Sequence, residues 1–319
     1  MNFVKGFTFL LSRGRNLHGP GFSSPETKAS LLQMKESTGC DTAVIAFEAL
    51  QDTPQSEEIN YKGPFIPTRD ELLDLIAYAH SIGLRVFLKP MLNCKNGVWR
   101  AHINFFDLEV VCEPKWSKWF ESYEKYLLFA AEIAESSGCE CLIIGCEMVQ
   151  TERKETYWRE LIAQARKVYK GLLAYNTDKY QETEVKWWDA LDVISSSGYY
   201  PFGKWEENLD RIEAVVKKLG LPFFFAECGC MCQKGCSVAP NDWTYKGELD
   251  LDEQARYFAE MFRACEKRDW VGGFVFWTWL SFAVNGTPGD APEKNAGYGV
   301  FGKPSEKVIR QWYDSRPQA

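Results

Sequence analysis

The sequence predicts an α/β protein folded as a single (β/α)₈ barrel over residues 1–319. Three observations carry that prediction. Short β-rich apolar runs alternate with longer runs of helical spacing, the pattern of a parallel sheet with crossover helices. The strand cores are continuously apolar, as at Ile143-Ile144, Phe223-Phe224-Phe225 and Phe274-Val275-Phe276, which suits strands covered on both faces. No linker or low-complexity tract divides the chain, so eight βα units close into one barrel rather than an open sheet.

Taken in order, the strands are expected at Val4–Leu10, Thr42–Phe47, Arg85–Leu92, Cys141–Met148, Gly171–Tyr175, Val193–Ser197, Pro222–Glu227 and Gly273–Trp279. The clearest helices are Thr68–Ser81, Lys115–Ser136, Lys154–Tyr169, Trp205–Leu219, Asp252–Lys267 and Pro304–Tyr313. Thr68 with Glu71 three residues on reads as a capping box. Gly83, Gly138 and Gly220 each follow a helical run just before a strand, where a left-handed residue ends a helix. The long irregular stretches, Ala49–Pro67, Asn93–Pro114, Cys228–Leu251 and Leu280–Lys303, each follow a strand, so each belongs to the active face of a barrel.

Composition narrows the function. With 45% hydrophobic and 25% charged residues, the chain has enough apolar material for a large core. Its 12 Trp suit a sugar-stacking cleft or that core equally well. A net charge of −7 and no long basic run argue against nucleic acid as a partner. No stretch approaches the ~20 apolar residues of a membrane span. Met1–Leu11 lacks a secretory h-region, so the expected location is cytoplasmic. Several of the 11 Cys, such as Cys141 and Cys146, sit in apolar strand-like runs, which favours reduced thiols over a disulfide framework. Cys228, Cys230, Cys232 and Cys236 cluster without the C-x₂₋₄-C pairs of a zinc site. They are expected to be free thiols of a loop, and neither a metal nor another cofactor is expected.

The most informative residues are Glu147 and Glu227, each ending a buried strand. A carboxylate there is costly unless it is paired or has a task. Counting strands places them after the fourth and the seventh, facing one another across the barrel mouth. Two facing carboxylates suit glycoside hydrolysis: one protonates the leaving oxygen and the other attacks the anomeric carbon. The competing reading is that each is a structural ion pair with a nearby Arg or Lys.

Glutamates at those two strand ends resemble the clan A glycoside hydrolases. Within that clan the chain is similar to glycoside hydrolase family 113, the β-mannanases. The resemblance rests on Lys89-Pro90, Gly97-Val98-Trp99-Arg100, Ile144-Gly145-Cys146-Glu147, Tyr199-Tyr200-Pro201, Ala226-Glu227 and Gly302-Lys303-Pro304-Ser305-Glu306, in that order over nearly the whole chain. It implies Glu147 as acid/base, Glu227 as nucleophile, and a β-1,4-mannan or manno-oligosaccharide substrate cleaved with retention. Two positions depart from the pattern. Cys146 stands where many clan members have an Asn that bonds the substrate 2-hydroxyl, and Met91 follows Lys89-Pro90 where a His is expected.

Further site residues follow from the chemistry. Tyr199 or Tyr200 can donate a hydrogen bond that keeps Glu227 anionic; because adjacent residues point apart, the other is a core residue. Trp277 and Trp279 alternate faces, and Trp277 is favoured as the stacking platform. Lys89, Trp99, Arg100 and, more weakly, Asn176 are candidates for holding sugar hydroxyls; a solvated-loop role competes for the first three. His18 and His102 fall in loops of the active face, whereas His80 lies in a helix. Alternatives to a mannanase are the same chemistry on another β-hexoside (glucan or galactan) and a catalytically silent glycan-binding barrel.

Overall fold

The computed structural model describes residues 1–11, 21–281 and 294–316. Its elements, in chain order, are β1 (Val4–Leu10), α1 (Pro25–Thr38), β2 (Thr42–Gln51), α2 (Arg69–Ser81), β3 (Arg85–Cys94), α3 (Trp116–Ser137), β4 (Cys141–Cys146), α4 (Val149–Glu152), α5 (Glu155–Val168), β5 (Leu172–Thr177), β6 (Val193–Gly198), α6 (Trp205–Leu219), β7 (Phe223–Cys228), α7 (Leu251–Cys265), β8 (Val271–Leu280) and α8 (Pro304–Asp314). The eight strands close into a barrel in sequence order, and every neighbouring pair is parallel. This is the (β/α)₈ barrel that the alternation predicts.

Local chemistry sets the element ends. Thr68 accepts from the Glu71 amide while the Glu71 carboxylate accepts from the Thr68 amide, so the capping box is present. Asp250 accepts from the amides of Asp252 and Glu253 and starts α7. Gly138 and Gly220 close α3 and α6 at φ 71° and 67°, a conformation that costs any residue with a Cβ.

The fifth unit differs from the expected pattern. Between β5 and β6 the described chain has a 3₁₀ turn, Trp188–Ala190, and no α-helix. The Asp178–Asp192 segment is polar and lacks a helical apolar stripe until Trp187 and Trp188. Those two side chains cover the barrel wall instead: Trp187 stacks on Trp158 of α5 at 4.7 Å, and both are buried.

Two apolar layers fill the structure. Inside the barrel, Val4, Val44, Phe87, Cys141, Ile143, Ala174, Val193, Phe224, Ala226 and Val275 pack together. Between barrel and helices lies a larger core with Trp116, Trp119, Trp158, Trp187 and Trp205 fully buried. Each such ring contributes on the order of 2–3 kcal/mol by leaving water. Much of the tryptophan excess therefore serves the core rather than a cleft. At the top of the interior Leu10, Ala46, Met91 and Cys146 form a small apolar cluster, with Trp277 and Leu280 against it. Met91 thus supplies packing where a polar residue was expected. Among the described residues no helix is long and apolar enough to cross a membrane.

Candidate active site

A cavity of about 470 Å³ opens at the carboxyl ends of the strands. Its walls include Asn93 on β3, Trp99 and Arg100 after it, Glu147 after β4, Asp178 after β5, Tyr199 after β6, Glu227 on β7, Asn241 and Trp243 from the following loop, Trp277 on β8, and Tyr298. The strand pleat decides which side chains reach it. On β6, Ser197 and Tyr199 point inward and Ser196 and Tyr200 outward. On β5, Asn176 points inward while Tyr175 and Thr177 point outward to Glu152.

An oxygen of Glu147, an oxygen of Glu227 and the sulfur of Cys146 all lie within 4.8 Å of one another. The two carboxylates therefore meet across one small space, at a separation suited to a retaining pair and well under the wider spacing of inverting pairs. Both are nearly closed off from solvent, Glu147 7% and Glu227 3% exposed.

Their surroundings differ in kind. Glu227 Oε1 accepts from Lys89 Nζ at 2.5 Å and from the Cys146 thiol at 3.2 Å; Oε2 accepts from the Tyr199 hydroxyl at 3.0 Å. Glu147 Oε1 accepts from Ser197 Oγ at 2.6 Å, and Oε2 from the Trp99 indole at 3.3 Å, with Arg100 Nη2 3.6 Å away. Burial pushes both acids up. At Glu227 the charges of Lys89 and Arg100 outweigh burial and hold its carboxyl below the usual range. At Glu147 burial, reinforced by the negative charge of Glu227, prevails and holds its carboxyl above that range. The two carboxyls are thus biased in opposite directions, Glu227 toward the ionised form and Glu147 toward the protonated form, the division of roles that acid-assisted nucleophilic attack requires.

Supporting side chains fix this arrangement. Asn176 Oδ1 accepts from Lys89 Nζ at 2.7 Å, and its amide donates to Ser197 Oγ at 3.0 Å, so one residue ties both carboxylates' partners together. Asn176 and Lys89 are fully buried, which places them behind the carboxylates rather than in the cavity wall. Arg100 donates to Asn93 at 2.7 Å and reaches the Cys146 sulfur at 3.5 Å; Asn93 in turn donates to Glu48 at 2.7 Å. Trp99 lines the cavity and packs edge-on against Trp243 at 6.1 Å. Trp277 lines the cavity, while Trp279 is buried and donates to Ser30 Oγ.

Of the paired tyrosines, Tyr199 meets Glu227. Tyr200 does not line the cavity: it points to the outer face of β6 and donates to Glu182 at 2.6 Å, a bond that fixes its ring away from any substrate. His102 sits beside the Trp99 ring and His80 bonds main-chain oxygens; His18 lies outside the described residues.

Ser197, Asp178, Trp243 and Tyr298 escaped the sequence reading. Ser197 had a signal, since Ser195-Ser196-Ser197 is a polar run in a buried strand and polar groups there need partners. Asp178 had one too, standing two residues beyond Asn176 on the same face. Burial, then the nearby charge of Glu147, push Asp178 up to about 7. Trp243 and Tyr298 come from irregular loops that no periodicity places.

Cys146, Glu147 and Glu227 are the one trio among the described residues close enough to share an ion. Lys89 already occupies Glu227, and Arg100 faces both Cys146 and Glu147. Burial and Glu227 also push the Cys146 thiol up and keep it protonated. The donor set therefore suits a proton-transfer site better than a cation. In the loop after β7, Cys228, Cys230, Cys232 and Cys236 are buried free thiols. The Cys230 and Cys236 thiols share a hydrogen bond within the loop, and Cys232 faces Lys303 at the start of α8.

Comparison with known proteins agrees with this geometry. The pattern of Glycoside Hydrolase Family 113 matches residues 8–303. Two solved structures described as β-1,4-mannanases of that family superpose with a TM-score of 0.94, at 51% and 52% identity, covering 99% of this chain and 100% of theirs. The family's β-mannanase from Alicyclobacillus acidocaldarius, solved with ManMIm, matches at 33% identity with a TM-score of 0.91, over 99% of this chain and 98% of its own. A Ruminococcus gnavus β-glucuronidase, 14% identical over 98% of this chain and 50% of its own, shares the fold alone at a TM-score of 0.65. No match was found among curated protein sequences. By pattern, by identity over its whole length and by its architecture, the chain belongs to Glycoside Hydrolase Family 113.

Proposed function

We propose that the chain is a β-1,4-mannanase working by double displacement, with Glu147 as acid/base and Glu227 as nucleophile. The observation that carries this is the pair of buried carboxylates with an oxygen of each within 4.8 Å of the other, in surroundings that push Glu227 down and Glu147 up. Glu227 Oε2 or Oε1 attacks the anomeric carbon while Glu147 gives its proton to the departing oxygen. The glycosyl–enzyme ester then meets a water that Glu147, now ionised, deprotonates; the sugar leaves with its original anomeric configuration. Lys89 and Tyr199 hold the nucleophile's charge in place and stabilise the carboxylate again when it leaves the anomeric carbon in the second step. Trp277 offers a face for the sugar ring, and Arg100 offers donors to its hydroxyls in the place of the clan's Asn, now Cys146. The same ester passes to a sugar acceptor where one outcompetes water. The mannan assignment rests on the relatives described as β-1,4-mannanases.

The test is a product profile of wild type and Glu227→Ala on defined manno-, gluco- and galacto-oligosaccharides, with the product anomer read by NMR. Retained β-anomers from the manno-series, lost in the variant, support the proposal. Inverted product refutes the mechanism; cleavage of gluco- or galacto-oligosaccharides alone refutes the sugar. Binding with no turnover of any β-glycoside supports a silent barrel. A cytoplasmic location is part of the proposal, supported by 11 unpaired cysteines, 10 of them buried; cell fractionation tests it.

A further inference from the structure

We propose that Asp178 is a leaving-group recognition residue, whose carboxylate accepts hydroxyl hydrogens from the sugar that Glu147 protonates. The proposal rests on the glycosidase reading above and adds a residue to it.

Position is the first argument. The Glu147 amide donates to the Asn176 carbonyl at 2.7 Å, so the end of β5 runs directly beside Glu147. Asp178 stands two residues further on, on the inward face that Asn176 also uses, and lines the cavity with Glu147. The glycosidic oxygen must lie against the acid and the anomeric carbon against Glu227. The departing sugar therefore lies on the side of Glu147 and its neighbours, and Asp178 is one of those neighbours.

Chemistry is the second argument. A departing hexose presents hydroxyl groups, and an ionised carboxylate accepts two of them at once. Asp178 is 8% exposed, and its recorded partners both belong to Lys179: the ammonium at 3.6 Å and the main-chain amide. Neither bond fills the acceptor capacity of two oxygens. Burial and the charge of Glu147 push its carboxyl up to about 7, so it accepts as an ionised group above that pH. A residue that only shaped the turn at Tyr180, which has a left-handed backbone, would affect every substrate alike.

That difference gives the test. Wild type, Asp178→Ala and Asp178→Asn are compared on mannotriose, which leaves a sugar departing, and on 2,4-dinitrophenyl β-mannobioside, whose leaving group carries no hydroxyls and needs no proton. In Asp178→Ala, kcat/KM on mannotriose falls about tenfold or more, mainly through KM, as expected for losing hydrogen bonds to a charged group. Activity on the aryl glycoside stays near wild type, and Asp178→Asn lies between. Equal losses on both substrates assign Asp178 to the turn and overturn the proposal, as does an unchanged mannotriose KM. If wild type cleaves neither substrate, the underlying mannosidase reading fails first, an outcome distinct from a wild type that works and a variant that shows no split.

Discussion

The two faces of β6 hold carboxylates in nearly the same grip. On the inner face Glu227 takes a lysine, a tyrosine and a thiol: Lys89, Tyr199 and Cys146. On the outer face Glu182 takes an arginine, a tyrosine and a hydroxyl: Arg211 at 2.5 Å, Tyr200 at 2.6 Å and Ser196 at 2.9 Å. Both are buried and both are matched by a cation. What separates them is access. Glu227 shares a cavity with a second carboxylate that is poised to give a proton, whereas Glu182 only ties β6 to α6. A buried, well-paired acid is thus no sign of catalysis until an opening and a partner of opposite protonation are found beside it.

The largest expected effect separates these roles outright. Glu227→Gln lowers kcat by about 10⁵-fold, the scale seen when a covalent nucleophile is removed. In the same variant the charge that raises Glu147 is gone, so the acid's pKa falls and any residual activity declines at lower pH than in wild type. A variant retaining a tenth of wild-type turnover would sink the assignment. On the other face, Glu182→Gln removes the charge that pairs with Arg211 and costs about 1–3 kcal/mol in denaturant unfolding. The kcat of its folded fraction is unchanged; a selective activity loss with normal stability would erase the contrast.

Glu152 sharpens the comparison, because it is a buried carboxylate with no cation among its recorded bonds. It accepts from Tyr175 at 2.8 Å and Thr177 at 2.9 Å, and burial pushes it up to about 8. The folded state therefore keeps a proton that the unfolded chain has lost above its ordinary value. Stability is then greatest at low pH and falls as pH rises from about 4.5 toward 8, on the order of 3 kcal/mol between pH 5 and pH 8. Glu152→Gln removes that slope. Parallel unfolding curves for wild type and variant at both pH values would contradict it.

The smallest effects come from the tyrosines. Tyr199→Phe removes a donor to ionised Glu227, so its pKa rises, the acid limb of the kcat/KM profile moves to higher pH, and kcat falls about tenfold. Tyr200→Phe costs about 1–2 kcal/mol of stability and leaves the pH profile in place. Identical pH profiles for the two variants would show that Tyr199 does not tune the nucleophile.

How much of this was legible varied with the physics of each signal. The barrel was, because β4 and the Phe223–Ala226 start of β7 are continuously apolar and capping residues punctuate the helices. The loss of an α-helix after β5 was not, since two tryptophans replace it by bulk rather than by periodicity. Glu147 and Glu227 were visible as charges ending apolar runs. The separation of Tyr199 from Tyr200 needed only the pleat, but which of them faced inward depended on register, and a shift of one residue exchanges the faces. Lys89 was visible as a polar residue in a strand and Asn176 as one just after a strand, yet their burial behind the carboxylates depends on packing across the barrel. Trp243 and Tyr298 reach the cavity from loops, where sequence carries no period to follow.

The backbone of Glu147 turns left-handed, with φ at 50°. A side chain with a Cβ tolerates that torsion poorly, at about 1–2 kcal/mol, and asparagine tolerates it best after glycine. The protein therefore holds the proposed acid/base in a strained backbone, as it does Cys112 and Tyr180. A Glu147→Asn chain would relieve that torsion but give up the partner of Ser197, Trp99 and Arg100, so the strained turn is held in place by the same bonds that set the acid.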